Sequence, residues 1–221
     1  MDDTTQPGLP EPRRTRRGME RDALLRARAA ELFLARGFDG VTVDDIVREV
    51  GGSKGSVYSF YGGKDGLFAA AMEDTILDLA EPLKQLRLGV CSLEQGLAEF
   101  AATLLGILLE ERHLAFHRLV IAEAARHPQI GQSWYRHGPA ATRSILAGFL
   151  AEQQAQGQVR HDADPARLAA LFHDMIVFDL LNRAMMGIEG GPAPHDVDAV
   201  VRDAVDLVTR GLRTPPCSDN G

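Results

Sequence analysis

The sequence of 221 residues lacks several features that would place it outside ordinary globular proteins. It has only two cysteines, Cys91 and Cys217, which are too few for a disulfide framework and are expected to stay reduced. No stretch approaches the roughly 18 consecutive apolar residues that a membrane helix needs. The N-terminus has no apolar core behind its charges, so it is not a secretory signal. We therefore expect a cytoplasmic protein with no membrane partner.

Sequence motifs of catalysis and of cofactor binding are also missing. There is no Ser-His-Asp arrangement typical of a catalytic triad, no Gly-rich phosphate loop and no Cys pair. We therefore expect neither an enzyme nor a resident cofactor. His113 and His117 lie four residues apart on one predicted helical face and could ligate a metal ion. Neither a linking Glu nor a nearby thiolate accompanies them. A helical protein that binds a metal or a small molecule through this pair is nevertheless an alternative interpretation.

Acidic residues outnumber basic ones overall, and the positive charge is concentrated at one end of the chain. The formal net charge is −7, but residues 13–36 contain eight arginines and only three acidic residues. A basic end on an acidic body indicates that only this end meets phosphates. The run that ends with Arg16 and Arg17 is either a solvated segment or an arm that follows a DNA groove.

Apolar residues recur with a helical period along the chain, and no segment shows convincing alternation, so we expect an all-α fold. Capping signals support several of the boundaries, including Thr42 before the second helix and Asp164-Pro165 before a later one. The predicted helices are Met19–Arg36, 43–50, Lys54–Tyr61, Lys64–Leu88, Leu93–Glu111, His113–Arg126, Pro128–Gln156 (which Gly138-Pro139 can break), Pro165–Met186 and Val197–Leu212.

The first three helices follow the plan of a helix-turn-helix. The second and third are short and are joined by the tight turn Gly51-Gly52. In such a unit the later helix enters the major groove and the earlier one braces it. No acidic residue lies between Glu49 and Asp65, so this surface does not repel phosphate. Four side chains of the third helix offer donors or a planar ring: Lys54, Ser56, Tyr58 and Ser59.

The segment GGSKGSVYSFYGGKDGLF, residues 51–68, resembles the recognition segment of the TetR family, and LFLARGFDGVTVDDIVREVG, residues 32–51, resembles the helices before it. The stretch RLVIAEAARHPQIGQSWYRHGP, residues 118–139, is similar to the AefR-like subgroup. The resemblance implies a DNA-binding domain followed by a helical domain for ligand binding and dimerisation. The predicted divisions are a disordered arm (1–17), the helix-turn-helix domain (18–64), the ligand and dimer domain (65–213) and a disordered tail (214–221).

The same resemblance implies roles in DNA binding. Thr42 and Lys64 would contact phosphates, and the exposed face of the third helix would meet the groove. Phe60 stands where the family often has His or Tyr, and Gly62-Gly63 replaces a Pro-Ser pair that would cap the fourth helix better. A protein of this fold that no longer binds DNA is a further alternative, although Lys54, Tyr58 and Lys64 are all present. The implied DNA-binding residues are Thr42, Ser53, Lys54, Gly55, Ser56, Tyr58, Ser59, Lys64 and Tyr61, the last at a family Phe position where packing is expected.

The family resemblance also implies a homodimer that binds double-stranded palindromic operator DNA as a repressor and is released by a small molecule. The last two helices would form the interface, although their apolar stripes could equally face the monomer's own core. The implied interface residues are Leu168, Leu171, Phe172, Met175, Val197, Val200, Val201, Ala204 and Val208.

A ligand pocket is expected among the central helices of the second domain. An apolar lining with a few polar groups would suit a lipophilic effector, although each lining residue could instead be plain core. The remaining histidines at helix ends, His127, His137 and His161, are expected to be solvated. The predicted lining comprises Phe100, Leu104, Phe116, His117, Trp134, Tyr135, His173 and Phe178.

Overall fold

A computed structural model describes residues 16–85, 88, 91–188 and 191–212. The described residues form helices and connecting turns without a β-strand, so the all-α prediction is confirmed. None of these helices is long and apolar enough to cross a bilayer. The helices are α1 (Arg16–Arg36), α2 (Val43–Val50), α3 (Lys54–Tyr61), α4 (Lys64–Lys84), α5 (Leu93–Leu108), α6 (Glu111–Glu123), α7 (Pro128–His137), α8 (Pro139–Ala155), α9 (Pro165–Met186) and α10 (Pro194–Leu212).

Local capping explains the helix boundaries that were predicted correctly from the sequence. The carboxylate of Asp164 accepts hydrogen bonds from the first backbone amides of α9, and Gly187 ends that helix in the left-handed conformation. Gly37 ends α1 in the same way, with φ of 72°. These caps satisfy backbone groups that a helix cannot satisfy by itself, so they fix where it starts and stops.

Several boundaries differ from the prediction. Helix α1 begins at Arg16, inside the segment predicted as a disordered arm, and its first turns carry an exposed i,i+4 ion pair of 3.1 Å between Arg16 and Glu20. Helix α4 ends at Lys84 instead of Leu88. The possible break at Gly138-Pro139 is confirmed, and α10 starts at Pro194, where the Asp196 carboxylate accepts a bond from the preceding amide of Ala193. The rest of the predicted arm, residues 1–15, and the predicted tail with Cys217 lie outside the described residues.

The apolar side chains form two cores that share helices. In the N-terminal core, the rings of Phe33, Phe38 and Phe68 contact one another, with Phe68 4.9 Å from Phe33 and 4.8 Å from Phe38. This core also includes Phe116 of α6 and Ile130 of α7. The second core is built chiefly from α5, α8, α9 and α10, with Leu83 of α4 and Leu114 of α6. Helices α4 and α6, which contribute to both cores, therefore join the helix-turn-helix to the rest of the molecule.

Candidate nucleic-acid interface and internal cavity

Reciprocal hydrogen bonds cap the start of α2, and a bond from α1 reaches the turn between α2 and α3. The Thr42 hydroxyl accepts a bond from the backbone amide of Asp45 at 3.2 Å, while the Asp45 carboxylate accepts one from the backbone amide of Thr42 at 3.0 Å. The hydroxyl of Thr42, together with its backbone amide, lowers the pKa of Asp45. Beyond α2, the Arg21 guanidinium donates to the carbonyl of Gly51, which has φ of 65°. The predicted N-cap role of Thr42 is confirmed, and the turn holds α3 in a defined orientation.

Helix α3 is attached to the body by very few side chains. Val57 is the buried anchor, and the hydroxyl of Tyr61 donates to the carboxylate of Asp22 on α1. Tyr61 therefore packs α3 against α1 and is not part of the exposed face. Ser53 caps the helix and its hydroxyl lies 3.0 Å from that of Ser56. The exposed side of α3 carries most of the predicted DNA-binding residues together with one apolar ring: Lys54, Gly55, Ser56, Tyr58, Ser59 and Phe60.

An ion pair lies on this exposed surface. The Nζ atom of Lys54 is 2.7 Å from Oδ2 of Asp44, and this hydrogen bond and the attraction between the two charges raise the pKa of Lys54. Asp44 was not predicted to belong to this surface, because an acid in the first turn of a helix is ordinarily explained by the helix dipole. Here its carboxylate instead forms an ion pair with Lys54, one of the predicted DNA-binding residues.

The junction between α3 and α4 is tight and has no side-chain cap. Gly63 precedes α4 with φ of 132° and makes no capping bond, as the replacement of Pro-Ser by two glycines predicted. The ammonium of Lys64 lies 4.1 Å from the centroid of the Phe38 ring. A Cβ atom on Gly66 would lie 1.9 Å from the backbone carbonyl oxygen of Tyr61. The end of α3 and the start of α4 are therefore in close backbone proximity.

An internal cavity of about 350 Å³ lies among helices α4 to α9. Its wall is largely apolar, with polar groups at two places. Of the eight predicted ligand-binding residues, seven are on the wall. The exception is Phe100, which is fully buried in the second core with its ring 6.4 Å from that of Phe172. The lining residues are Ile76, Leu79, Ala80, Leu83, Leu104, Leu108, His113, Phe116, His117, Trp134, Tyr135, Gly138, Pro139, Thr142, Arg143, His173, Asp174, Val177, Phe178, Leu181 and Asn182.

The His113–His117 pair forms the deeply buried polar place in this wall. Nδ1 of His117 lies 3.0 Å from the backbone carbonyl of His113, so this nitrogen carries a hydrogen and is not available to a metal ion. Burial lowers the pKa of both imidazoles, and the charges of His117 and Arg112 contribute to lowering that of His113 to about 4. Among the described residues, no group of three His, Cys, Asp or Glu side chains is arranged to hold a metal.

The low pKa of His113 predicts a loss of stability on mild acidification. Between its unfolded value near 6.5 and about 4, the unfolded chain takes up a proton that the folded protein does not. We expect His113→Gln to reduce the fall in unfolding free energy between pH 7 and pH 5 by about 1–2 kcal/mol relative to the wild type. Urea titrations at the two pH values measure it, with the exposed His161→Gln as control. Equal pH dependence of the wild type and His113→Gln would contradict the assignment.

The second polar place lies nearer the surface and joins the predicted His173 to Arg143 and Asp174, which were not predicted. The guanidinium of Arg143 donates to Oδ1 of Asp174, and Nδ1 of His173 lies 3.0 Å from the same oxygen. Partial burial raises the pKa of Asp174, but the hydrogen bonds from His173 and Arg143 outweigh it and the net shift is downward. Burial lowers the pKa of His173 despite this carboxylate. The charged groups on the cavity wall thus neutralise each other.

Helix α7 connects the cavity to the N-terminal core. Trp134 and Tyr135 line the cavity, whereas His127, at the other end of the helix, lies 5.2 Å from the Phe38 ring and 5.1 Å from the Phe68 ring. The expectation that His127 is solvated is wrong, because α7 packs on α4 and buries it. A displacement at the cavity end of α7 must therefore be accommodated within the core that supports α2, α3 and α4.

The predicted interface residues of α9 and α10 differ in burial and fall into three groups. Leu171 and Met175 are exposed, whereas Phe172 and Ala204 are buried in the monomer's own core, so the latter two do not lie on a free face. The others are partly buried: Leu168, Val197, Val200, Val201 and Val208. Two residues outside the predicted interface extend the exposed apolar surface, namely Phe178, which also lines the cavity, and Leu207.

A tightly capped helix-turn-helix, joined to a helical body that encloses a ligand-sized cavity, is the architecture of a DNA-binding transcriptional regulator. Comparison with known proteins agrees. Residues 25–71 match the family described as bacterial regulatory proteins, tetR family, and residues 95–211 match the AefR-like transcriptional repressor, C-terminal domain. The chain belongs to the TetR family of transcriptional regulators.

Individual relatives are similar over most of their length. The HTH-type transcriptional repressor AcnR of Corynebacterium jeikeium is 25% identical over 199 residues, covering 89% of this chain and 94% of that protein. The HTH-type transcriptional repressor ComR of Escherichia coli is 26% identical over 161 residues, covering 71% of this chain and 76% of its own. The crystal structure of a TetR-family regulator from Mesorhizobium loti has a TM-score of 0.71 at 25% identity and covers 90% of this chain and 100% of that one.

Proposed function

We propose that this regulator is a homodimeric repressor that binds a palindromic operator through α3 and leaves it when a small molecule occupies the cavity. The observation that carries the proposal is the exposed face of α3. Lys54, Ser56, Tyr58 and Ser59 are exposed on a helix whose buried side is anchored by Val57 and Tyr61. A helix presented in this way can enter the major groove, where hydroxyls and aromatic rings meet base edges.

A dimer provides the second recognition helix that a palindrome requires. The exposed apolar residues of α9 and α10 supply a surface suited to a second copy, and a two-fold axis would repeat α3 at the next half-site, roughly 34 Å away. Thr42 at the start of α2 and Lys64 at the start of α4 would contact phosphates on either side of the groove. Such contacts set the register and the salt dependence of binding.

Ligand control follows from the position of α7. A ligand that displaces Trp134 or Tyr135 would move the helix that begins at His127, within the core shared with Phe38 and Phe68. The operator-binding and ligand-binding states would differ in the spacing of the two recognition helices. The ligand shifts this equilibrium only by its difference in affinity for the two states.

Binding to the DNA upstream of the protein's own coding region tests this proposal, with salt titration and competitor DNA. We expect Lys54→Ala to weaken binding about 5–10-fold and to reduce the salt slope by roughly one, since one phosphate contact is lost. Asp44→Asn should strengthen binding about 3–10-fold, because it removes a negative charge beside the phosphates and frees Lys54. Lys84→Ala, at a lysine distant from α3, should bind like the wild type.

The opposite signs of the Lys54 and Asp44 variants make the experiment specific to this surface. Loss of affinity in Asp44→Asn, or an unchanged salt slope in Lys54→Ala, would show that DNA approaches another face. Equal binding of the wild type to random and upstream DNA would reject autoregulation, and selection from a random DNA library would then identify an operator or establish that none is bound.

A further inference from the structure

The deep end of the cavity presents an unused hydrogen-bond acceptor. Nδ1 of His117 donates to the carbonyl of His113, so in the neutral imidazole the other nitrogen, Nε2, keeps a lone pair. Within the described residues, Nε2 of His117 has no hydrogen-bond partner. The side chain is buried beside Phe116 and Trp134, whose ring centroid is 5.5 Å from that of His117.

His113, on the same wall, is a second buried imidazole, and its fully buried Nδ1 has no hydrogen-bond partner. A ligand group that donates a hydrogen bond would satisfy Nε2 of His117. A neutral hydroxyl can donate this bond, whereas an ionised carboxylate only accepts.

The charge of the wall favours an uncharged ligand. Arg143 and Asp174 are the only fully charged side chains among the lining residues, and they are bonded to each other. An ionised ligand group at the deep end would have no counter-charge, and a buried charge without a partner is strongly disfavoured. The ligand should therefore be neutral where it meets His117.

The volume of the cavity and its aromatic walls indicate the size and shape of the apolar part of the ligand. A cavity of roughly 150 Å³ accepts a benzene ring, so the 350 Å³ found here accommodates about two rings or a ring with a short chain. Phe116, Trp134 and Phe178 offer aromatic surfaces against which planar rings pack favourably.

We propose that the cavity binds a neutral, lipophilic molecule of about two-ring size whose phenol or alcohol hydroxyl donates to Nε2 of His117 at the buried end. This inference rests on the proposed function, because it takes the cavity to be the effector site. It adds the chemical class of the effector and the residue that selects it.

Four biphenyl probes of nearly equal size test the proposal by calorimetry on the full-length protein. They are biphenyl, 4-phenylphenol, 4-methoxybiphenyl and biphenyl-4-carboxylate. We expect 4-phenylphenol to bind about 5–10-fold more tightly than 4-methoxybiphenyl, as one net hydrogen bond implies, and the carboxylate to bind most weakly. In His117→Phe the preference for the phenol should disappear while biphenyl still binds, which shows that the cavity is intact. Quenching of Trp134, the only tryptophan in the chain, provides a second readout.

The outcomes separate this proposal from the proposed function. Tighter binding of the carboxylate than of the phenol, or a phenol preference that survives in His117→Phe, would overturn the assignment. So would failure of all four probes to bind a protein that still recognises its operator, and the regulator function would then stand without this ligand class. Binding in the expected order with no effect on operator affinity would support the ligand class and refute ligand-controlled release.

Discussion

A Gly66→Ala variant is expected to lose about 3 kcal/mol of stability, or roughly 6–12 °C in Tm, and most of its operator affinity. The added Cβ would lie 1.9 Å from the carbonyl oxygen of Tyr61 and 2.9 Å from its carbonyl carbon. Both are backbone atoms, so no rotamer change relieves the clash. The start of α4 would have to move away from the end of α3.

The movement would act directly on the recognition helix. Helix α3 is short and is held by Val57 and by the bond between Tyr61 and Asp22, so a shift at Tyr61 changes the orientation of its exposed face. We expect operator affinity to fall at least 10-fold below what the folded fraction explains, because misplacing a recognition helix weakens several base and phosphate contacts together.

Gly148→Ala is the matched control for Gly66→Ala. Gly148 also lies inside a helix, α8, but it is exposed and a Cβ atom there would meet no atom within 4 Å. Replacing an unconstrained helical glycine by alanine stabilises a helix by up to about 1 kcal/mol. Thermal unfolding and operator titration of the two variants make the comparison. Wild-type stability of Gly66→Ala would show that the junction is looser than described.

The helix boundaries were predictable where local chemistry determines them. Asp164-Pro165 and Gly187 mark the limits of α9 in the sequence, and the capping residues Thr42 and Ser53 mark the starts of α2 and α3. Each signal acts over a few residues, so it can be read without knowing the tertiary structure.

Burial that depends on distant residues was not predictable. His127 precedes a proline and was assigned to solvent, yet it packs against Phe38 and Phe68, which come from other parts of the chain. Phe100 shows the complementary case. Helical periodicity identifies it as inward-facing but does not distinguish a packed core from a cavity wall, because that depends on the volume left by neighbouring helices.

The same limit applies to the polar groups of the cavity and to the faces of α9. Arg143 and Asp174 are separated by 31 residues, and a charged residue on a helix ordinarily lies in solvent. Helix α9 is apolar on two sides, with Phe172 inward and Leu171 outward. Its sequence pattern therefore does not show which side faces the core. The roles that the sequence analysis assigned to individual residues in binding DNA, a ligand or a second subunit stay predictions.

Leu171→Glu is expected to convert the protein to monomers and to lower operator affinity about 100-fold or more. The Leu171 side chain is 60% exposed, and Met175 and Phe178 continue the same helical face at spacings of four and seven residues. In a two-fold interface each substitution occurs twice, so two carboxylates would be buried near the axis without partners. A monomer holds one half-site only and loses the gain in effective concentration that the second half-site provides.

Ile121→Glu is the control that separates loss of the interface from a general effect of added charge. Ile121 is 64% exposed, comparable to Leu171, but it lies on α6 and not on the apolar face of α9 that carries Leu171. Analytical ultracentrifugation and operator titration on both variants should give a monomer with weak binding for Leu171→Glu and a dimer with wild-type binding for Ile121→Glu. A dimeric Leu171→Glu with full affinity would show that the subunits associate through a surface other than α9, and half-site spacing would then have to be controlled from there.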